Sequence, residues 1–241
     1  MLLSIVIPAF NEARLIQGCL QSVSTSLAAN PTPGFTSEII VVDNNSTDNT
    51  ATLARQAGAL VVFEPINHIG RARNTGAAQA TGDWLLFLDA DSELNPGLLA
   101  DILGLIEEGK SVGCGSTLHM QGLPWWGDWL FQLWKGTSIL FRWAAGALLV
   151  CRHDAFRDVG GFNQTVYAAE EIGLSVALKQ WGKPRGLQFV ILRQHPLKTS
   201  SRKVSLYSGR EIAGQILRVF LHPRRTLQDK KQLSVWYDGR R

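Results

Sequence analysis

The residues of this chain best placed for chemistry are two aspartates, Asp89 and Asp91, which directly follow the apolar run 84–88. A short apolar run beside turn residues predicts a buried strand, and side chains two apart on a strand share a face. Ligands of open α/β sheets bind at the carboxyl ends of the strands, and hard divalent cations share oxygen ligands with phosphates. We therefore predict a divalent-metal site for a diphosphate, with solvated loop carboxylates as the alternative.

Three further sets of polar residues lie at the ends of predicted strands or at the start of a predicted helix. Asn11 and Glu12 come after the first strand, and Asp43 ends the second, where an acidic side chain can accept hydrogen bonds from a base or ribose. Arg71 and Arg73 lie at the start of a predicted helix, where guanidinium groups and the helix N-terminus both favour phosphate. Each group alone could be a turn, a cap or a solvated charge. Together with the aspartates they predict a nucleotide-binding half.

The elements that must position these groups alternate between strand and helix. We predict strands over 2–8, 38–42, 59–63 and 83–88, and helices over 11–27, 47–57 and 69–80, with Asn11 capping the first helix. This order predicts an α/β fold with a mostly parallel central sheet flanked by helices. The later pattern is less regular, and it predicts a helix over 96–108 capped by Asn95, strands over 147–151 and 189–192, and a helix over 169–181.

Composition restricts the class of protein. Of the 241 residues, 45% are hydrophobic and 18% are charged, which excludes a disordered chain. The net charge is +4, and much of the basic excess follows residue 190, where it can face an anionic membrane or form a solvated helix face. Three widely spaced cysteines and the absence of a signal-peptide or membrane-spanning pattern predict a cytoplasmic protein.

A tryptophan-rich segment over 123–142 allows two interpretations. Trp126, Leu130, Leu133 and Trp134 fall at helical spacing, and such a stripe is usually part of the core. It could also form an amphipathic surface that meets a lipid or an apolar acceptor, since tryptophan favours membrane interfaces.

The chain resembles the family 2 glycosyltransferases, which have the GT-A fold, over residues 3–182. The motifs that carry the resemblance lie at 4–12, 42–48, 70–78, 82–83, 87–91, 145–147, 156–163 and 170–174. The resemblance implies one domain over 1–241, with a nucleotide-binding half (1–91), an acceptor-side half (92–200) and a basic, helical tail (201–241). It also implies transfer of a sugar from a nucleotide donor, UDP-linked by default, with inversion at the anomeric carbon.

Site residues follow from the same resemblance. Asp43 would read the nucleobase, Arg73 would lie near the base or diphosphate, and Asp91 would bind Mn²⁺ or Mg²⁺ while Asp89 supports the ribose or metal. The resemblance also places Pro8, Phe10 and Glu12 of the first motif around the donor. The segment 199–203, which includes Arg202, could close over the donor diphosphate through its hydroxyls and charge, or it could be a flexible surface loop.

An inverting transfer needs a base for the acceptor hydroxyl, and the family places it in a Glu-Asp pair before a helix. Here the pair is Glu170-Glu171, and Gly173 replaces a later acidic residue. We expect Glu171 to be the base, with Glu170 as the alternative; both could instead merely charge the first turn of a helix. His195 follows an apolar strand and is a weaker candidate for metal or diphosphate.

The sequence narrows the reaction further. The Gln-x-x-Arg-Trp motif of processive family members is absent, so we expect transfer of a single sugar. A nucleotidyltransferase would need a glycine-rich phosphate loop that residues 8–12 do not provide. A nucleotide-sugar-binding protein without turnover stays open because of the altered pair. We expect no nucleic-acid partner, and an acceptor that is lipid-linked or apolar, met through peripheral contact with the inner face of a membrane.

Overall fold

The computed structural model describes residues 1–120, 122, 125–144, 146–200, 211, 214, 218 and 226–233. Its strands are β1 (Leu2–Ala9), β2 (Thr36–Asp43), β3 (Leu60–Phe63), β4 (Trp84–Leu88), β5 (Ser92–Glu93), β6 (Ser111–Met120), β7 (Leu148–Arg152) and β8 (Gln188–Thr199). Its helices are α1 (Ile16–Ala29), α2 (Thr50–Gln56), α3 (Ile69–Gln79), α4 (Pro96–Glu108), α5 (Trp125–Phe141), α6 (His153–Asp158) and α7 (Glu170–Gly182). Most of the predicted tail 201–241 lies outside the described residues.

The strands form one sheet in the order β3-β2-β1-β4-β7-β6-β8-β5. The first four are parallel, as the alternating pattern predicts, and this confirms the α/β class. The sheet as a whole is mixed: β6 and β8 are also parallel, whereas β7 runs antiparallel to both β4 and β6 and β5 runs antiparallel to β8. The start of β7 therefore lies at the same edge as the end of β4.

Apolar side chains of the central strands alternate between the two faces of the sheet. On one face, Leu86 and Leu88 of β4 belong to the cluster that includes residues of α1 and α4, and on the other Leu85 and Phe87 belong to the cluster that includes residues of α3 and α7. All five residues of β4 are buried, as the apolar run predicts. Helices therefore cover both faces, and polar groups are left to the carboxyl edge.

The helix α3 lies very close to the sheet because of one glycine. A Cβ atom at Gly76 would overlap the side chains of Val6 and Val42. Arg73 stands one turn earlier on the same helix, and residues three apart share a face. The close packing at Gly76 therefore holds Arg73 over the carboxyl edge of β1 and β4, where its side chain is buried.

The first helix begins later than predicted. Asn11 has a left-handed φ of 53° and does not cap a helix; its Oδ1 accepts a hydrogen bond from the Thr47 amide at 2.7 Å. Its own amide donates to Ser46 Oγ, and α1 starts only at Ile16. The loop after β1 is thus tied to the loop after β2. The predicted cap at Asn95 is confirmed, since its side chain accepts from the Leu98 amide.

Among the described residues, no helix has both the length and the apolar character needed to cross a membrane.

Candidate active site

Three carboxylates from distant parts of the chain meet one guanidinium at the carboxyl edge of the sheet. Arg73 Nη1 donates to Glu170 Oε1 at 2.8 Å and to Glu171 Oε1 at 2.7 Å. Arg73 Nη2 donates to Asp89 Oδ1 at 2.8 Å and to the Gly146 carbonyl at 3.0 Å. The end of β4, the start of α7 and the segment before β7 are therefore joined through one side chain of α3. We call Arg73, Asp89, Glu170 and Glu171 the arginine cluster.

Burial sets the protonation of this cluster. Burial raises the pKa of the Glu170 carboxyl to about 8, and the charge of Glu171 adds to the rise, although Arg73 opposes it. Burial disfavours the Arg73 guanidinium, but its ion pairs with Glu171, Asp89 and Glu170 outweigh this and hold its pKa above the ordinary value. Three carboxylates facing one cation leave an excess of negative charge, and a proton on Glu170 relieves part of it.

We expect the stability of the metal-free protein to reflect this proton. Because the folded-state pKa of Glu170 is raised from 4.5 to about 8, the proton stabilises the fold at acid pH, and this contribution is lost as pH rises through about 8. The loss is on the order of 1 kcal/mol per pH unit. Glu170→Gln mimics the protonated acid, so its free energy of unfolding, measured with urea between pH 5 and 8, is expected to gain on the wild type as pH rises.

Groups present in both proteins, such as His68, titrate equally and cancel in that difference. Asp158→Asn is a matched control at a carboxylate that accepts a hydrogen bond from Trp181 Nε1 near the surface. Parallel pH profiles for wild type and Glu170→Gln would contradict the assignment of the proton.

The two aspartates lie where the sequence predicts them. The Asp89 amide donates to the Ala147 carbonyl at 3.1 Å, and the Asp91 carbonyl accepts from the Ser200 amide at 3.1 Å. Burial, and then the charges of Asp91 and Asp89, raise the pKa of the Cys19 thiol below them, so it stays neutral. Among the described residues, no group of three or more His, Cys, Asp or Glu side chains is arranged to hold a metal ion by itself.

This donor set fits a hard cation that is only partly held by protein. Mg²⁺ and similar ions commonly use one or two carboxylates and complete their shell with phosphate oxygens and water. Asp91 and Asp89 supply carboxylates of that type, and one oxygen of Asp89 already binds Arg73.

The predicted donor-side residues are brought to the same edge. Pro8 of β1 is paired with Val42 of β2, directly before Asp43. Asp43 is buried, and its Oδ1 accepts from the Ser46 amide at 2.9 Å. Glu12 is also buried, and its amide donates to Thr50 Oγ1. Because β2, β1 and β4 are parallel neighbours, these groups and Asp89 end at one edge of the sheet.

Two residues that sequence reasoning passed over organise the start of α3. Asn44 accepts from the His68 amide through Oδ1 and donates to the Ile66 carbonyl through Nδ2. Glu64 is buried and accepts hydrogen bonds from Thr75 Oγ1 at 2.7 Å and from Arg71 Nε at 3.2 Å. The position of Glu64 directly after β3 is the signal that could have marked it.

Other predicted site residues have different surroundings. The Arg73 side chain is only 2% exposed and is occupied by protein groups, so we assign it a positioning role rather than the predicted contact with the base or diphosphate. His195 Nδ1 lies 2.9 Å from Asp101 Oδ2, and its ring packs on Gly97. Its strand reaches the aspartates only at Thr199, about 13 Å further along. The structure thus does not bring His195 to them.

Phe10 is half-buried in the loop after β1. Arg202 lies outside the described residues, as does most of the segment 199–203. Within that segment, Thr199 belongs to β8 and its hydroxyl accepts a hydrogen bond from Ser92 Oγ.

A family model described as Glycosyl transferase family 2 matches residues 4–157. The chain belongs to this family. Its α/β architecture is that of the GT-A glycosyltransferases, and the arginine cluster and the aspartates lie at the carboxyl edge of that fold. The predicted family and fold are confirmed.

Curated relatives agree with this assignment. An uncharacterised glycosyltransferase of Mycobacterium tuberculosis is 35% identical over 137 residues, which cover 57% of this chain and 56% of that protein. The glycosyltransferase AglE of Haloferax volcanii is 37% identical over 94 residues, covering 36% of this chain and 30% of that protein. The chain therefore spans about half the length, or less, of these relatives.

Solved structures show the same fold at low identity. The mannosyltransferase PcManGT of Pyrobaculum calidifontis, in complex with GDP-Man and Mn²⁺, gives a TM-score of 0.69 at 20% identity and covers 92% of this chain and 64% of its own. Glucosyl-3-phosphoglycerate synthase of Mycobacterium tuberculosis, with Mn²⁺, UDP-glucose and phosphoglyceric acid, gives 0.63 at 20% identity and covers 97% and 79%. These likenesses concern the fold alone.

Proposed function

We propose that this glycosyltransferase is a metal-dependent inverting enzyme that moves one sugar from a nucleotide-sugar donor to an acceptor hydroxyl. The observation that carries the proposal is the arginine cluster, which links Asp89, at the predicted metal and diphosphate site, to Glu170 and Glu171, the predicted bases. An inverting transfer needs both groups within reach of one sugar, because leaving group and acceptor lie on opposite sides of the anomeric carbon.

The leaving nucleoside diphosphate develops negative charge, which a bound divalent cation neutralises. Asp91 and Asp89 would hold that cation. Asp43, with Pro8, Phe10 and Glu12, would bind the nucleoside. Arg73 donates to Asp89 and fixes the direction of that carboxylate before the donor arrives.

Glu171 is the base in this proposal. Its side chain is 11% exposed, whereas that of Glu170 is 2% exposed, so Glu171 faces the open side of the cluster. Glu170 holds its proton near neutral pH and cannot accept another. The proton of the acceptor hydroxyl would pass to a Glu171 oxygen as the hydroxyl attacks the anomeric carbon.

For the donor and the acceptor we propose a chemical class. Glycosyltransferases of the same fold are described with Mn²⁺ and UDP-glucose or GDP-Man, which supports a divalent cation and a nucleotide-sugar donor. A UDP-linked donor is our first choice. The missing processive motif supports transfer of one sugar. We also propose a lipid-linked or apolar acceptor met at the inner face of a membrane, supported by the exposed apolar side chains of α5.

Donor binding is expected to depend on metal and on Asp91. Binding to the folded protein at about one hundred times the dissociation constant raises the melting temperature by about 5–10 °C for a chain of this size. We expect that shift for one of UDP, GDP or dTDP with Mn²⁺ and its loss with EDTA or in Asp91→Ala. Thermal-shift assays over these nucleotides and their sugars measure it.

Asp101→Ala is the matched control, because it removes an aspartate that binds His195 rather than the proposed metal. The control is expected to keep the shift, and its loss there would restore His195 as a metal ligand. Absence of any nucleotide-dependent shift in the wild type would overturn the donor site. If the thermal shift occurs but no nucleoside diphosphate is released with any of many acceptors, the chain would be better described as a nucleotide-sugar-binding protein without turnover.

A further inference from the structure

The helix α5 is apolar on the face that it turns away from the protein. Of the eight large apolar side chains that are exposed in the described part of the chain, four lie on α5: Trp129, Leu133, Leu140 and Phe141, at 66%, 57%, 75% and 51% exposure. At 100° per residue, Trp129, Leu133 and Leu140 fall within about 40° of one another and form a stripe about 16 Å long. Phe141 lies roughly 80–120° around the helix from these three, at its C-terminal end. We call the four residues together the α5 stripe.

The opposite side of α5 holds it to the protein. Ser138 is buried and its Oγ donates to the Trp143 carbonyl at 2.7 Å, while Phe131 and Ile139 pack against the core clusters. The exposure of the stripe is therefore a fixed property of how this helix packs. The core interpretation of the tryptophan-rich segment is wrong at Leu133; the side chains of Trp126, Leu130 and Trp134 lie outside what the structure describes.

Cations lie at the end of the stripe. Lys179 of α7 donates through Nζ to the Phe141 carbonyl at 2.8 Å. Arg142 is exposed and its Nη1 reaches Gln188 at 3.5 Å. Lys179 and Arg142 are thus two like charges beside Phe141. Burial, and then the charge of Arg142, lower the pKa of Lys179. Such a pair favours an anionic partner.

We propose that the α5 stripe, together with Arg142 and Lys179, is a membrane-binding surface that inserts into the interface of an anionic phospholipid bilayer. A helix with tryptophan, phenylalanine and leucine on one face and cations at its rim binds bilayer interfaces in this way. The link between this surface and a membrane-bound acceptor rests on the proposed function. Lipid binding itself does not, because it needs no turnover.

A second copy of the chain is a weaker match for this surface. The four side chains expose on the order of 500 Å² in total, below the roughly 800 Å² per partner of a stable protein interface.

The position of α5 relative to the arginine cluster suits an acceptor delivered from a bilayer. Gly146, five residues after the helix ends, accepts a hydrogen bond from Arg73. At the other end, Met120 pairs with Thr199, directly before the Ser200 amide that binds the Asp91 carbonyl. Both ends of the segment that carries the stripe thus attach beside the proposed site.

Vesicle flotation of the whole chain tests the proposal, with phosphatidylcholine alone and mixed with phosphatidylglycerol. We expect binding to the mixed vesicles and a loss of roughly tenfold or more in the double variant Leu133→Ser and Leu140→Ser. The matched control is Leu60→Ser with Phe63→Ser, which removes two comparably exposed apolar side chains from β3 at the other edge of the sheet. The control is expected to bind like the wild type.

A second pair of variants tests the charges. The double variant Arg142→Asn and Lys179→Gln is expected to weaken binding to the mixed vesicles about thirtyfold. Asparagine is chosen at position 142 because it tolerates the positive φ found there. Arg55→Gln with Arg157→Gln removes two exposed cations on other helices and is expected to leave binding unchanged.

The outcomes separate the alternatives. Wild type that floats with neither vesicle, or stripe and control variants that lose binding equally, would overturn the membrane surface. The membrane surface would also be overturned if light scattering found that the wild type is a dimer and that only the stripe variants are monomers. The nucleotide-dependent thermal shift is measured in the same variants without lipid, so that a failed donor site and a failed membrane surface give different results.

Discussion

Glu171→Gln is expected to slow nucleoside diphosphate release from the donor by about a hundredfold to ten-thousandfold, the usual contribution of a general base. Hydrolysis of the donor by water needs the same proton transfer as transfer to a sugar hydroxyl, so the release rate can be measured before the acceptor is known. The amide keeps the size of the side chain and still accepts a hydrogen bond from Arg73. Donor affinity in the thermal-shift assay is therefore expected to stay within about twofold.

Glu170→Gln is the matched control, because it is the same substitution one residue earlier. The buried Glu170 carboxyl already carries a proton near neutral pH, and its replacement is expected to cost far less in rate. A larger loss in Glu170→Gln than in Glu171→Gln would reverse the assignment of the base. Equal and small losses in both would place the base outside this pair.

Arg73→Met is expected to lower the free energy of unfolding by about 3–5 kcal/mol, because it leaves carboxylates in a buried site without their cation. The loss is expected to be greater at pH 8 than at pH 5, since Arg73 lowers the pKa of Glu170 and ionising that buried carboxyl costs more without it. Urea unfolding at both values measures the effect through the midpoint at constant slope.

A surface ion pair provides the control. Arg152 binds Asp154 through two hydrogen bonds, but both side chains are more than a third exposed, and Arg152→Met is expected to cost under about 1 kcal/mol. Arg73→Lys is expected to remain destabilised, because one ammonium cannot replace the guanidinium fork that binds four acceptors. An Arg73→Met protein as stable as the Arg152→Met control would show that the cluster contributes nothing to the fold.

Elements with strong local signals were predictable from the sequence. The helix over 96–108 has an Asn cap and a proline in its first turn, and its bounds are confirmed. The start of α1 was not, because Asn11 uses its side chain to bind Thr47 in another loop. A cap and a loop bridge look alike in sequence, and only the packing of the two loops decides between them.

The site likewise has a part that could be predicted from the sequence and a part that could not. The position of Asp89 and Asp91 follows from the buried strand before them, which can be recognised locally. The arginine cluster could not be predicted, since its carboxylates lie 16 to 98 residues from Arg73 in sequence. Helical periodicity likewise could not show which side of α5 would pack on the core, and Leu133 lies on the other side.

The reversed direction of β7 brings a later segment of the chain against the carboxyl end of β4. Because β7 starts where β4 ends, the Asp89 amide binds Ala147, and the site is closed by a segment that enters from outside the nucleotide-binding half. Under the proposed function, strands β1 to β4 serve the donor and residues 121–147 the acceptor, so we expect that the second segment can be exchanged while the first stays intact. We expect chimaeras joined at Met120 and Leu148 to keep the donor of one parent and take the acceptor of the other, which would test this division of the proposed site.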